Sequence, residues 1–425
     1  MLMVLIGCFI ALMVLGVPIA FAMLLASIVY LLGSSQLNLL ILPQQVESGV
    51  DSSPLLAIPF LLLAGSLMVQ AGVVLRIVRL LRAFIGHARG GLAHCLVIAG
   101  AFMAGISGSG TADAAALGSV MIPALREDHY DAPFATALSA SAGSLGSVLP
   151  PSITMIMYGA IGSVSVGQLY RGSVIPAALI VFALLVSSHI VVMRRNYGTI
   201  EKRPTVRVQM RTLLYSVFDL ALPLIVVGGT LSGFFTPTEA GAVAVLYLLL
   251  LGFVLRTLTF AKVALALQET LVTLGAVMLM LATAAVIQYV LALHQAAEMF
   301  GAALVALSGS SIAFMLLISL LLLLLSFILE VPAIVILVTP IVVPILPQFG
   351  IDPVQFGILM CISMAIGLLV PPIGLAMFVT CAISKVRMDE YARAVVPFLV
   401  AIAIVLVLVA TIPALTMTLP HMANR

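Results

Sequence analysis

The chain has 425 residues, 63% of them hydrophobic and only 8% charged, with a formal net charge of +3. A soluble domain carries about 25% charged residues, so this chain lacks the polar side chains to coat a water-soluble core and reads as an integral membrane protein. Its apolar runs are long enough for helices rather than barrel strands, and no nucleic-acid partner is expected.

Met1–Leu15 is apolar, with no basic start and no cleavage site, and reads as a span rather than a signal peptide. A second run covers 17–32. Gly16-Val-Pro18 between them is expected to break the segment into two short helices, with one long tilted helix as the alternative. Further spans are expected over 55–75, 134–163, 174–193, 214–231, 238–255, 263–292, 354–384 and 394–418. Two runs, 92–125 and 301–346, are too long for one span and lack the polar loop that two would need. Loop charge orients the chain: one threading puts sixteen of the eighteen lysines and arginines on one side and leaves Arg171 and Arg425 on the other. It requires 92–125 to leave and re-enter on the cytoplasmic side and 301–346 to do so from outside. Both are therefore read as re-entrant hairpins, whose arms of about 15 residues reach roughly 20 Å into the bilayer.

The first hairpin contains "AGISGSGTADAAALG", residues 104–118. Backbone at that depth must be buried in protein or line a wet cavity. Gly105, Gly108 and Gly110 permit the reversal, while Ser107, Ser109, Thr111 and Asp113 supply oxygens.

The halves of the chain are related. "IPALREDHYDAPFATALSASAGSLGSVLPP", ending at Pro151, aligns without a gap to "VPILPQFGIDPVQFGILMCISMAIGLLVPP", ending at Pro372. Pro123, Asp131, Gly146 and Pro150-Pro151 fall on Pro344, Asp352, Gly367 and Pro371-Pro372. An odd number of spans per half makes the copies inverted, over 1–213 and 214–425. Each Pro-Pro falls mid-membrane and must break its helix, 134–163 or 354–384. Inverted repeats with discontinuous helices at their interface form the binding sites of many secondary transporters. Half-helix N-termini there suit an anion, and freed carbonyls suit a small cation.

At "GSGTADAAALGSVMIPA", "GSLGSVLPPSITMIMYG", "GFFTPTEAGAVAVLY" and "FGILMCISMAIGLLVPPIGLAMFV" the chain resembles the large membrane subunit of tripartite ATP-independent periplasmic (TRAP) transporters. The resemblance covers essentially the whole chain. It implies an all-α polytopic protein of the bacterial inner membrane with two re-entrant hairpins, two broken helices and an elevator mechanism. A moving transport domain, 92–163 plus 301–384, would slide against a scaffold. It also implies sodium as the coupling ion, with no other cofactor, and a small carboxylate substrate such as a C4-dicarboxylate or sialic acid. The implied partners are a small four-helix membrane subunit and a periplasmic substrate-binding protein. Carried onto matching positions, the first sodium site uses Ser107, Ser109, Gly146, Leu149 and Pro151. The second uses Gly367, Val370 and Pro372, with the second tip near Leu329. The substrate is placed beside them, at Gly110, Thr111, Asp113, Ser152, Thr154, Glu330 and Gly374. The second tip reads "SFILEVPA", with Val331-Pro332 where the family pattern carries a hydroxyl.

Several of these residues have a simpler reading. Asp113 and Glu330 either mark the pathway or sit at the starts of the return helices as caps. Ser107, Ser109 and Thr111 either bind ligand or satisfy tip backbone. Ser139, Ser141, Ser144 and Ser147 fit tight helix packing. Glu239, after Thr236, fits a helix cap. Asp219 and Glu269, near span ends, fit interfacial positions or structural pairing, and His94 and His189 fit satisfied or interfacial histidines. The isolated Cys8, Cys95, Cys361 and Cys381 fit small buried hydrophobes rather than a disulfide or zinc site. Two other functions compete. Gly105-Ile106-Ser107-Gly108 is a GxSG string like that of an intramembrane serine protease, which would need His189 as base. A stand-alone carrier of the divalent-anion/sodium type would share the hairpins and work without partners.

Overall fold

The computed structural model of the protein describes residues 2–34, 38–199, 204–295, 298, 309–372 and 374–423, and all regular structure among them is helical. Among these residues seven helical segments are long and apolar enough to cross a membrane: Ser53–Gln70, Val166–Arg195, Val206–Ser232, Pro237–Val254, Phe260–Leu293, Val331–Phe349 and Met388–Thr411. The chain is a multi-pass membrane protein.

The N-terminal run is two helices, Leu2–Val14 and Ile19–Gly33, packed on each other. Pro18 caps the second, so the single tilted helix does not form. The expected span 55–75 stops at Gln70. Beyond it Val73–Ile85 is a separate amphipathic helix that buries Val73, Ile77 and Leu80 and exposes Arg79 and Arg82. Ile41–Val50 is a helix the sequence did not announce, because Gln44, Gln45 and Glu47 make it too polar for a span; it packs against Phe260–Leu293. The expected span 394–418 is also two helices, Met388–Thr411 and Ala414–Ala423, separated at Pro413.

The two odd runs are helical hairpins. The first is Gly91–Ser107 and Gly110–Glu127. The second is Ser311–Leu325 and Val331–Val342, and the chain then tightens into the 3-10 turns of Val343–Phe349, where Pro344 and Pro347 interrupt α-helical bonding. With those turns the return arm reaches the length of a span. Residues 301–308 of the expected hairpin lie outside the described residues. Both expected broken helices are broken: Ala132–Ser144 gives way to a 3-10 turn at Leu145–Ser147 and resumes as Ile153–Gly162, and Pro353–Gly367 resumes as Leu375–Ser384. Both Pro-Pro peptides are cis.

Packing follows a reciprocal pattern. The return arm of the first hairpin lies on the second half of the second broken helix, and that of the second hairpin on the second half of the first broken helix. Phe134 and Phe398 meet with centroids 5.8 Å apart, Tyr158 and Phe356 at 6.1 Å, and the Tyr158 hydroxyl donates to Pro353 O at 2.7 Å. These fully buried rings knit the broken helices to each other and to Met388–Thr411. Outside this centre, Arg76 binds Asp219 in bidentate fashion at 2.7 and 2.8 Å, tying Val73–Ile85 to Val206–Ser232. Asp219 is 1% exposed and pairs with that guanidinium, the structural pairing that is one of the two readings of it.

Candidate functional site

The first tip is two residues long. Gly108 takes a left-handed φ of +64°, which lets the chain reverse between Ser107 and Ser109. A Cβ at Gly108 would lie 2.6 Å from Pro151 O, so only glycine lets the tip backbone press on the first helix break. Gly108 O accepts from Ile153 N at 3.1 Å, joining tip to break.

The side chains around this contact form a small network. Ser109 caps the return helix by accepting from Ala112 N. Ser107 Oγ accepts from Ser109 N at 3.2 Å and donates to Asp113 Oδ1 at 2.5 Å. Asp113 is therefore not the cap: it is 1% exposed, and its Oδ2 has no hydrogen-bond partner among the described residues. A Cβ on Gly146 would lie 2.6 Å from that Oδ2 and 2.9 Å from Gly110 N. One on Gly110 would lie 2.8 Å from Leu368 Cδ1 and 3.0 Å from Ser147 Oγ. The first tip thus touches both helix breaks. Ser152 lies in the same break, donating to Ser147 O at 2.8 Å and capping Ile153–Gly162. Thr154 is buried one residue into that helix.

A buried carboxylate with one unpaired oxygen is costly unless a cation or a proton meets it. Two helix N-termini, at Gly110 and Ile153, point their positive ends toward this region and offset part of that cost. Ser107 keeps a spare lone pair beyond the one that takes Ser109 N–H. With the Pro151 carbonyl close by, the donors suit a small hard cation. The structure thus gathers Ser107, Ser109, Gly110, Asp113, Gly146 and Pro151. Leu149 is half-buried and donates to Leu145 O.

The second tip is built differently. Ser326 presses on the second broken helix, where a Cβ on Gly367 would lie 2.6 Å from its Cβ and 2.8 Å from its Oγ. Leu329, near which the second tip is expected, lies buried within it, between Ser311–Leu325 and Val331–Val342. Glu330 heads the return helix half-buried, and its side chain makes no capping bond. In the break, the carbonyls of Leu368 and Val370 turn toward Gly374, which only glycine can allow, since a Cβ there would lie 2.6 and 2.9 Å from them. Pro372 is exposed. Ser326 carried a signal that went unused: like Ser107, it is a hydroxyl closing an otherwise apolar arm.

A crevice of about 470 Å³ opens beside the first tip. Ser107, Ser109 and Thr111 line one wall, and Ser66, Glu269 and Thr273, from Ala57–Gln70 and Phe260–Leu293, line the other. Glu269 accepts from Ser66 Oγ at 2.6 Å. Sequence reasoning left Ser66 and Thr273 out because only packing brings two distant helices to face the hairpin. The GxSG serine has a carboxylate, not an imidazole, as its partner; His189 instead stacks on His94 at 5.4 Å.

Paired hairpins and two interrupted helices closing on a buried polar centre are the architecture of a membrane carrier. The model of the family described as "Tripartite ATP-independent periplasmic transporter, DctM component" matches residues 6–415, and the chain belongs to that family: it is a TRAP large membrane subunit. It is 35% identical to the sialic acid TRAP transporter large permease protein SiaM of Vibrio cholerae, over 96% of this chain and 95% of that one. It is also 35% identical to the C4-dicarboxylate TRAP transporter large permease protein DctM of Pseudomonas aeruginosa, over 86% of each. The crystal structure of the Alcanivorax borkumensis YdaH transporter shares the fold, with a TM-score of 0.65 at 14% identity over 94% of this chain and 97% of that one.

Proposed function

We propose that the chain is the large permease subunit of a sodium-coupled importer of a small organic acid in the bacterial inner membrane. It would work with a small membrane subunit and a periplasmic substrate-binding protein. The observation that carries this reading is the unpartnered Asp113 Oδ2, held against Ser107 and Gly146 where the first tip meets the first break. Family membership and relatives named for sialic acid and C4-dicarboxylates support an organic acid as cargo.

In this reading sodium sits between tip and break, with Ser107, Asp113 and the Pro151 carbonyl as its donors. Its charge removes the penalty on the buried carboxylate and draws the tip onto the break. The carboxylate of the substrate then lies in the crevice beside Ser109 and Thr111, at the N-terminus of Gly110–Glu127, whose positive end favours an anion. Leu368, Val370 and Gly367 with Ser326 form the second, pseudo-symmetric cation site. The reciprocal packing of hairpins on broken helices supports an inverted repeat. These elements, 92–163 and 301–384, move together as an elevator past the remaining spans, among them Phe260–Leu293.

Reconstitution with both partners in liposomes tests it. Uptake of labelled sialic acid, a C4-dicarboxylate or another small carboxylate is expected only with an inward sodium gradient. Uptake driven by protons with sodium absent overturns the coupling. Uptake by the chain alone overturns the need for partners.

A further inference from the structure

A groove runs along the outer surface between Val166–Arg195 and Met388–Thr411, with a volume of about 580 Å³. Its walls are apolar: Phe182, Val186 and Ile190 on one helix and Val396, Val400 and Ile404 on the other, all six exposed. Such a patch on a membrane-facing surface takes up apolar matter, not water. From Leu179 to Arg194 the groove covers about 22 Å at 1.5 Å per residue. That exceeds the roughly 15 Å half-thickness of a bilayer's hydrocarbon core.

One end of the groove is cationic. Arg194 lines it there. Phe134 packs on Tyr197, just past the end of the first helix, and on Phe398, in the N-terminal half of the second, with centroids 5.3 and 5.8 Å away. The two helices therefore bring their basic ends together, and Arg393, one turn before Val396, belongs to the same end. Arg195 and Arg387 nearby pair with Asp131 at 3.5 Å and Asp389 at 3.1 Å. Arg194 and Arg393 are exposed and have no ion-pair partner among the described residues.

We propose that this groove binds an anionic phospholipid, one acyl chain lying between the helices and the phosphate at Arg194 and Arg393. The length matches a chain that starts at the interface and passes the midplane. Guanidinium groups suit a phosphate, and basic sites between membrane helices hold anionic headgroups. A zwitterionic lipid would fill the same groove with no gain at its basic end.

Native mass spectrometry of the full chain in a neutral detergent tests this, with dioleoyl phosphatidylglycerol and the same-chain phosphatidylethanolamine as probes. Phosphatidylglycerol should be retained preferentially. Combined Arg194→Gln and Arg393→Gln should cut its retention about 27-fold and leave phosphatidylethanolamine unchanged, from about 1 kcal/mol per arginine at 1.4 kcal/mol per tenfold. Ala183→Trp, which fills the groove, should lower both. Equal retention of the two lipids by the natural chain, or undiminished phosphatidylglycerol in the double variant, overturns the proposal. So does displacement of the lipid by inorganic phosphate at the same concentration. A variant that does not fold leaves a second readout: a phosphatidylglycerol with a photoreactive acyl chain, cross-linked to the natural chain in native membranes, should label peptides within 179–194 and 396–408. Labels confined to other segments, or a helix of another protein cross-linked in the groove, overturn it.

Discussion

The two hairpins end in tips of contrasting chemistry. The first is polar and interlocked: Ser107 bonds to Asp113, Ser109 caps the return helix, and Gly108, Gly110 and Gly146 allow backbone-to-backbone contact with the first break. The second is largely apolar. Phe327, Ile328 and Leu329 separate Ser326 from Glu330, Ile328 is 62% exposed, and a serine side chain makes the described contact with Gly367. Their arms differ in the same sense. Those of the first hairpin pack on each other as well as on neighbouring helices, while those of the second pack mainly on neighbouring helices. Matching positions in two halves of a chain thus do not imply matching donors: the first tip brings a carboxyl group to its break, and the second brings a single hydroxyl.

Alanine at the two buried glycines should break the comparison most visibly. Gly146→Ala drives a methyl against Asp113 and the Gly110 backbone, neither of which can yield, and should cost about 3 kcal/mol of stability and abolish uptake. Gly367→Ala meets one serine side chain, should cost about 1 kcal/mol, and should be rescued by Ser326→Gly. Thermal unfolding in detergent measures both; equal costs, or no rescue, remove the asymmetry. Next in size, Asp113→Asn keeps the shape and removes the charge. The sodium concentration for half-maximal uptake should rise by about ten- to a hundredfold, roughly 1.4–2.8 kcal/mol, with expression intact. Ser107→Ala should raise it about tenfold, since one donor is lost and one carboxylate oxygen is left unpaired. The smallest effect is expected at the second tip: Glu330→Gln should shift the sodium dependence by about threefold or less, because nothing described ties its side chain to the break. A larger effect from Glu330→Gln than from Asp113→Asn would reverse the roles of the two tips.

The first hairpin and both breaks were legible in the sequence because their causes are local. Run length, glycine at the reversal and paired prolines act within a few residues of where they stand. The Asp113–Ser107 pairing was half legible: the two lie six residues apart across one turn, but whether the carboxylate capped the helix or crossed the tip depended on Ser109 taking the cap first. What escaped was set by rotation and by distant packing. Ser326 faces Gly367 because the arm's rotation decides which tip residue points at the break. Ser66 and Glu269 meet across 203 residues of chain. The helix Ile41–Val50 owes its place to Phe260–Leu293, against which a Cβ on Gly49 would lie 2.7 Å from Ala285 Cβ.

The ion pair between Arg76 and Asp219 has a mechanical consequence. It anchors Val73–Ile85 to Val206–Ser232, and Gln209 adds a bond to Ala83 O at 3.0 Å. The first hairpin arm begins at Gly91, so only residues 86–90 join an anchored helix to the hairpin. Five residues stretch to about 17 Å at most. If the hairpin moves as proposed, that tether would limit how far it can travel from the anchored helices while both helix ends stay wound. Lengthening it by inserted glycines, or cutting the anchor with Asp219→Asn, would alter the ceiling on displacement without touching the polar centre.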